Sequence, residues 1–461
     1  MMSRISGFGR CIAMAAALVV AMPGMSAADS LRQAMADAYR NSQLLEQSRY
    51  LLRVEDEGVN QAFAALLPTV SFVASSSRDL VQDTSTTTFR LLGELVIYQG
   101  GARINARRGA EQAVNAARQQ LISLEQQVLI DAVTAYLEVW EAIQIVEVRQ
   151  RNVRVLTEQL RAARDRFEVG EDTRTDVAQA ESQLATARSA LAAAEGTLEI
   201  ARELFNLAVG RYPNALASPG GLPHLPSSED EAQRLARQQH PAVLARQFEV
   251  AAAEFGVGEA RGASRPNITL DLSLGQTVEA PNPTQEGESA TLALTLTQPI
   301  YRGGQLGSLE RQALAQVEAV RYGLNQQVRL NLQVVGNAYA RLRIANAQIQ
   351  ASDQRIRAAQ LAFEGVREEA ALGARTTLDV LDAEQDLLEA RISRIEAQGD
   401  LYAASYGILA ASGLMTVRHL ELPVPEYDVA AYGAAFPGGR VRVASPQGDR
   451  LDTLLQAIGR E

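Results

Sequence analysis

The chain has 461 residues, of which 47% are hydrophobic and only 5% aromatic, with a formal net charge of −10 and a pI near 5.2. All 44 basic residues are arginine. An acidic balance without a basic stripe excludes nucleic acid as a partner, because nothing would neutralise its phosphates. Few aromatics, with Ala, Gln, Arg and Glu crowding the middle of each half, suit long helices better than thick globular cores.

Arg4 and Arg10 precede an apolar run from Cys11 to Met22, which Pro23-Gly24 breaks before the small residues Ser26-Ala27-Ala28. This order predicts a signal peptide over residues 1–28, cleaved after Ala28. The run is about a dozen residues, short of the roughly 20 that a spanning helix needs. Cys11 is the single cysteine, so the exported chain would have neither disulfides nor thiol chemistry. No other stretch reads as a membrane helix. The exported chain is then soluble, an outer-membrane β-barrel, or part of one.

Ser30 is placed to cap a helix running toward Leu67, with a break at Asn41-Ser42. A looser counterpart runs from Asp230 to about Ala263, broken at His240-Pro241. Pro68 and Pro266 then open two stretches with a two-residue period, about 68–98 and 266–300. Phe72 and Ala74 alternate with Ser71 and Ser75, and Leu270, Leu272 and Leu274 with Thr269, Asp271 and Ser273. Such alternation predicts four amphipathic strands, joined by polar loops at 78–85 and 276–289. Each run is about 10 residues, enough for a tilted strand to cross a bilayer. Open sheet edges are not tolerated in lipid, so four strands can span a membrane only if several chains share one barrel.

Beyond these strands the chain repeats itself at a shift of 203 positions. Tyr98-Gln99-Gly100-Gly101 returns as Tyr301-Arg302-Gly303-Gly304, and Asp176-Val177 as Asp379-Val380. No proline interrupts 101–212 or 300–422. Each stretch predicts a helical hairpin, with arms of about 65 and 35–40 residues, or roughly 100 and 55–60 Å. Leu156, Leu160 and Ala163, and likewise Ile356, Ala359 and Phe363, follow the spacing of a coiled-coil seam. The hairpins turn at Gly170 and Gly373, where a glycine can end a helix in the left-handed conformation. Thr175 or Asp176, and Thr377, are positioned to cap the following helices. Asp379 and Asp382 share one helix face just past the second turn. Around a symmetry axis they would form two carboxylate rings, devices that select cations.

The duplicated strand–hairpin unit, the Tyr-x-Gly-Gly joints and the stretch Gly373-Ala374-Arg375-Thr376-Thr377-Leu378-Asp379-Val380-Leu381-Asp382 resemble the TolC family of outer-membrane channel-tunnels. The resemblance covers about 29–422. It implies an α+β membrane protein in which three chains form a 12-stranded barrel continued by a periplasmic α-helical tunnel. It implies Asp379 and Asp382 as the pore constriction, and Arg375 and Asp176 in closed-state links. The tips around Gly170, Thr175, Gly373 and Thr377 would meet a periplasmic adaptor protein. An inner-membrane ABC transporter or proton-driven pump would supply energy, and outer-membrane lipid would surround the barrel. One departure is Ala370, where the family pattern has an aromatic residue. Leu422-Pro423-Val424-Pro425-Glu426-Tyr427-Asp428 is similar to the tail of channels for type I protein secretion, with multidrug efflux the alternative.

The division expected is a signal peptide 1–28, a first repeat 29–210, a linker 211–229, a second repeat 230–413 and a loosely ordered periplasmic tail 414–461. No cofactor is expected. His224, His240 and His419 lack metal-ligand spacing, and there is no phosphate loop or nucleophile elbow. A periplasmic coiled-coil rod or adhesin is the alternative of a different class, but amphipathic strands at matched places argue against it.

Overall fold

The computed structural model describes residues 29–81, 83–171, 173–278 and 287–435. The signal-peptide assignment, Cys11 and the tail beyond 435 lie outside the described residues. The first repeat contains α1 (Leu31–Asn41), α2 (Gln43–Ala64), β1 (Thr69–Asp79), β2 (Thr84–Gln99), α3 (Ala102–Glu168) and α4 (Arg174–Val209). The second contains α5 (Glu229–Gln238), α6 (Pro241–Gly262), β3 (Asn267–Val278), β4 (Gly287–Thr297), α7 (Gln305–Ala371) and α8 (Thr377–Ala411), followed by a short α9 (Ala431–Ala435).

The helix starts show how strict the duplication is. Ser30 caps α1 by accepting from the Gln33 amide, and Ser228 caps α5 from the Glu231 amide. Ser42 caps α2, and the His240 ring nitrogen caps α6. Both pairs stand 198 positions apart, as do the first residues of β1 and β3. From the first residues of β2 and β4 onward the offset is 203. The counterpart helix that looked loose at a shift of 203 is therefore in register at 198. The five extra positions all fall around the β3–β4 connection, because a loop absorbs an insertion that a packed helix or ladder cannot.

The sheet has the order β1-β2-β3-β4, antiparallel throughout. Its ladders extend beyond the sequence reading: Arg78 pairs with Ser85, Asp79 with Thr84, and Gln276 with Glu288. The expected loops 78–85 and 276–289 are shorter for that reason. Polar alternation in these stretches still satisfies one wet sheet face, so polarity alone could not mark the turn. Phe72, Leu91 and Leu274 align across three strands on one face. Val70, Phe72, Leu292 and Leu294 are each more than 60% exposed, a costly arrangement in water and a favourable one in lipid. The opposite face carries Ser71, Arg90, Glu94, Thr269 and Asp271. Among the described residues β1 and β4 are left as free edges.

Gly100-Gly101 and Gly303-Gly304 turn the chain from strand into helix, with φ of 58° and 83° in both copies. A side chain there would strain the left-handed backbone, and at Gly100 it would also strike the Gly262 carbonyl. The helices α3 and α7 that follow have 67 residues each, about 100 Å at 1.5 Å per residue. No described helix is long and apolar enough to cross a membrane.

The largest core lies where α1, α3, α4 and the segment after α8 converge. The buried rings of Tyr136 and Phe205 are 6.5 Å apart, with Leu129, Leu409 and Met415 packed in the same cluster. Tyr136 Oη donates to the Asp29 carbonyl at 2.8 Å and the Ala217 carbonyl at 2.6 Å. Its counterpart Tyr339 donates to the carbonyls of Pro226 and Ser228. Each repeat therefore pins one end of the linker with one tyrosine. The tail corrects an expectation of loose order over 415–435. Met415, Val417 and Leu422 are buried, and the Val417 amide donates to Glu125 at 2.7 Å. Arg49 lies over the rings of both Tyr39 and Tyr427. The tail has no helical or strand period, so its apolar residues signal burial only once a partner surface exists.

Candidate functional site: the paired helix tips

Both hairpins hold their arms together with small and branched residues. Leu156, Leu160 and Ala163 of α3 pack on Ala180 and Leu184 of α4, joined by Leu381 of α8. Phe363 of α7 packs on Val380 and Leu387 of α8. Each seam ends in the same turn. Gly170 (φ 85°) and Gly373 (φ 78°) are exposed, and the amides of Glu171 and Ala374 close the turns on the carbonyls of Arg166 and Glu369, both at 2.9 Å.

The caps differ from those read in the sequence. Thr173 caps α4 and Thr376 caps α8, each in a reciprocal capping box with the acid three positions on. The Asp176 carboxylate accepts from the Thr173 amide at 2.9 Å and its hydroxyl at 2.6 Å. Asp379 accepts from the Thr376 amide and hydroxyl, both at 2.9 Å. Thr175 is exposed within the first turn of α4, and Thr377 is buried at the start of α8, so neither is the cap. The spacing Thr-x-x-Asp was the available signal.

These bonds set the charge at the tips. The Thr376 amide and hydroxyl hold the Asp379 carboxyl below the usual range, and the Thr173 hydroxyl and amide do the same for Asp176. Both acids stay ionised in mildly acidic medium. Asp382 stands one turn further along α8, exposed. Arg375 pairs with Glu369 of its own hairpin at 2.9 Å. Arg375 and Asp176 are thus each engaged within their own hairpin. At the tips a bond joins the two hairpins, from Arg166 Nη2 to Thr377 Oγ1 at 3.3 Å. Sequence reasoning missed Arg166, Glu369, Thr173 and Thr376. Among the described residues no group of acids, histidines or cysteines could hold a metal ion.

The arrangement is therefore an amphipathic sheet, two arms about 100 Å long, and two matched, capped tips that carry half-buried Asp176 and Asp379 and exposed Asp382 at their far end. The family model described as outer membrane efflux protein matches residues 34–211 and 233–414. The outer membrane efflux protein BepC of Brucella suis is 35% identical over 457 residues, covering 96% of this chain and 100% of that protein. The alkaline protease secretion protein AprF of Pseudomonas aeruginosa is 26% identical, covering 74% of this chain and 72% of its own length. The crystal structure of the Campylobacter jejuni CmeC outer membrane channel superposes with a TM-score of 0.76 at 15% identity, covering 89% of both chains. The CusC structure does so with a TM-score of 0.76 at 18% identity, covering 84% of this chain and 92% of that one. The protein is an outer-membrane exit duct of export systems with a large periplasmic helical part, a passive conduit and not an enzyme. That sets aside the rod or adhesin. The chain belongs to the outer membrane efflux protein family.

Proposed function

We propose that three copies of the chain close one barrel and one tunnel, and that the tunnel opens and shuts at the tips. The observation that carries this reading is the matched pair of capped tips about 100 Å from the sheet, which supports a gate at the end remote from the membrane. The free edges of β1 and β4 support the sharing of one barrel, since a membrane sheet must close. Asp379 and Asp382 line the constriction and attract cations. Gly170, Thr175, Gly373 and Thr377 form the face met by a periplasmic adaptor protein, which links the duct to an inner-membrane ABC transporter. The cargo is protein delivered by type I secretion, small molecules, or both. Relatives named for protease secretion support the protein cargo.

A second reading, a duct for a proton-driven multidrug pump, is favoured by the efflux name of the Brucella suis relative. A deletion strain decides between them. Loss of a secreted protein with unchanged drug susceptibility supports type I secretion, and the reverse supports efflux. A detergent-extracted protein that runs only as a monomer would overturn the trimeric duct.

A further inference from the structure

Next to the sheet, each repeat forms a groove between its shorter and its longer helix. In the first, between α2 and α3, Asp56 meets Arg118; in the second, between α6 and α7, Glu254 meets Arg321. Val59 and Val114 of the first groove return as Val257 and Val317 of the second. The first groove is filled by the chain's own tail. Gly433 of α9 lies so close over the ion pair that a Cβ there would sit 2.9 Å from Asp56 Oδ1 and 3.4 Å from Arg118 Nη2. Tyr432 donates to Glu57 at 2.8 Å, and Arg53 lies over its ring. Among the described residues nothing covers the second groove. It is a cavity of about 290 Å³ on Val257, Leu314 and Val317, rimmed by Glu254, Glu318 and Arg321. It is also the more apolar of the two, because exposed Leu314 stands where the first repeat has Glu111. Two carboxylates share one guanidinium on its rim, Glu254 at 2.7 Å and Glu318 at 2.8 Å from Arg321. Arg261 beside them is taken by Glu310.

We infer that residues 451–458 of the chain's own tail fill the second groove, as α9 fills the first. Leu451, Leu454, Leu455 and Ile458 recur at the spacing of one helix face, between Asp449, a cap-type residue, and Gly459. That face supplies apolar partners for Leu314, and Arg450 and Arg460 flank it to offset the surplus carboxylate. The intervening chain is long enough. α6 packs on both α3 and α7, so the two grooves are about two helix spacings apart, roughly 20 Å. Residues 436–450, with Pro437, Gly438, Gly439, Pro446 and Gly448, can span up to about 50 Å. Filled in this way, the two grooves clamp α2 to α3 and α6 to α7 beside the sheet.

Cysteine pairs in the full-length protein test the placement, since the exported chain supplies no cysteine of its own. Leu314→Cys with Leu455→Cys, mildly oxidised in membranes, should form a disulfide within one chain, read as a linked peptide from a monomer band. Ile344→Cys with Leu455→Cys should stay reduced, because Ile344, also exposed on α7, lies about 45 Å further along the helix. A disulfide at both positions, at neither, or between two chains overturns the inference. Thiol labelling gives an independent readout. With Leu314→Cys alone, labelling by a water-soluble maleimide should quicken by about tenfold or more when Leu454→Asp and Leu455→Asp are added, since two buried leucines are lost from the groove. An unchanged rate means that Leu314 has another cover or none, and overturns the inference.

Discussion

The carboxylate of Asp56 meets the guanidinium of Arg118 at 3.5 Å, and the same pairing recurs as Glu254 with Arg321 at 2.7 Å. The offsets are those of the repeat, 198 for the acids on α2 and α6 and 203 for the arginines on α3 and α7. Further along the same helix pairs, Arg107 lies over the Phe63 ring, while its counterpart Glu310 pairs with Arg261. The backbone contact is retained while the chemistry changes sides.

Burial separates the two acid–arginine pairs. The Asp56 side chain is 6% exposed and that of Glu254 52%. Asp56→Ala strands a partly desolvated Arg118 and should cost about 2–3 kcal/mol. Glu254→Ala should cost no more than about 0.5 kcal/mol. Thermal melting of the two detergent-extracted variants compares them, and equal losses would show that burial does not govern this contact.

Glu141 predicts a pH dependence. Burial, then the charges of Asp400 and Glu396 on α8 and Glu138 on its own helix, push its carboxyl up to about 7. A raised carboxyl binds more protons folded than unfolded. Its contribution is therefore favourable at low pH and is lost as pH rises from the unfolded value through about 7. Glu141→Gln should raise stability at pH 8 by about 1–2 kcal/mol after allowance for partial exposure, and change little at pH 4. Melting curves at the two values check it; an equal gain at both would contradict the linkage.

Thr376→Ala removes the hydroxyl half of the cap on α8, worth about 1 kcal/mol to that helix end. Hydrogen exchange should quicken across the first turn of α8 and stay unchanged at the sheet. Thr173→Ala should act on α4 alone, and spread of its effect to α8 would mean that the tips are not locally capped.

Asp379→Ala with Asp382→Ala should abolish block by divalent or trivalent cations and change single-channel conductance, because crowded carboxylates concentrate cations. Block that persists at the original concentration would remove both residues from the pore lining.

Gly170→Val and Gly373→Val place a branched side chain at φ of 85° and 78°, costing roughly 1–2 kcal/mol each at an exposed turn. Export should fall sharply while the trimer still forms. Export at the original rate would count against docking at the tips.

Much of the tip was legible in the sequence. Gly170 and Gly373 stand out because only a left-handed position explains a glycine that ends two equally long helices. The first cap, expected at Thr175 or Asp176, lies two or three positions earlier at Thr173, and the second, expected at Thr377, lies one earlier at Thr376. Thr173, Thr175, Thr376 and Thr377 are chemically equivalent as letters, and only backbone geometry decides which hydroxyl faces the free amides. Arg375 and Asp176 are separated for a related reason: a long side chain takes the nearest opposite charge, here Glu369 for Arg375.

The sequence by itself determined the duplication, four strands with two unlike faces, and two long hairpins. Those follow from periods of two and about 3.6 residues and from glycine punctuation, all of which are local. Tertiary structure alone decided that the repeat runs at 198 before the β3–β4 connection and 203 after it. It also decided that Met415 and Leu422 are core residues, and that Glu141 fills the space left by Gly399. Each of these depends on which surfaces meet across a hundred or more positions, and no local pattern records a partner's identity until the packing brings it there.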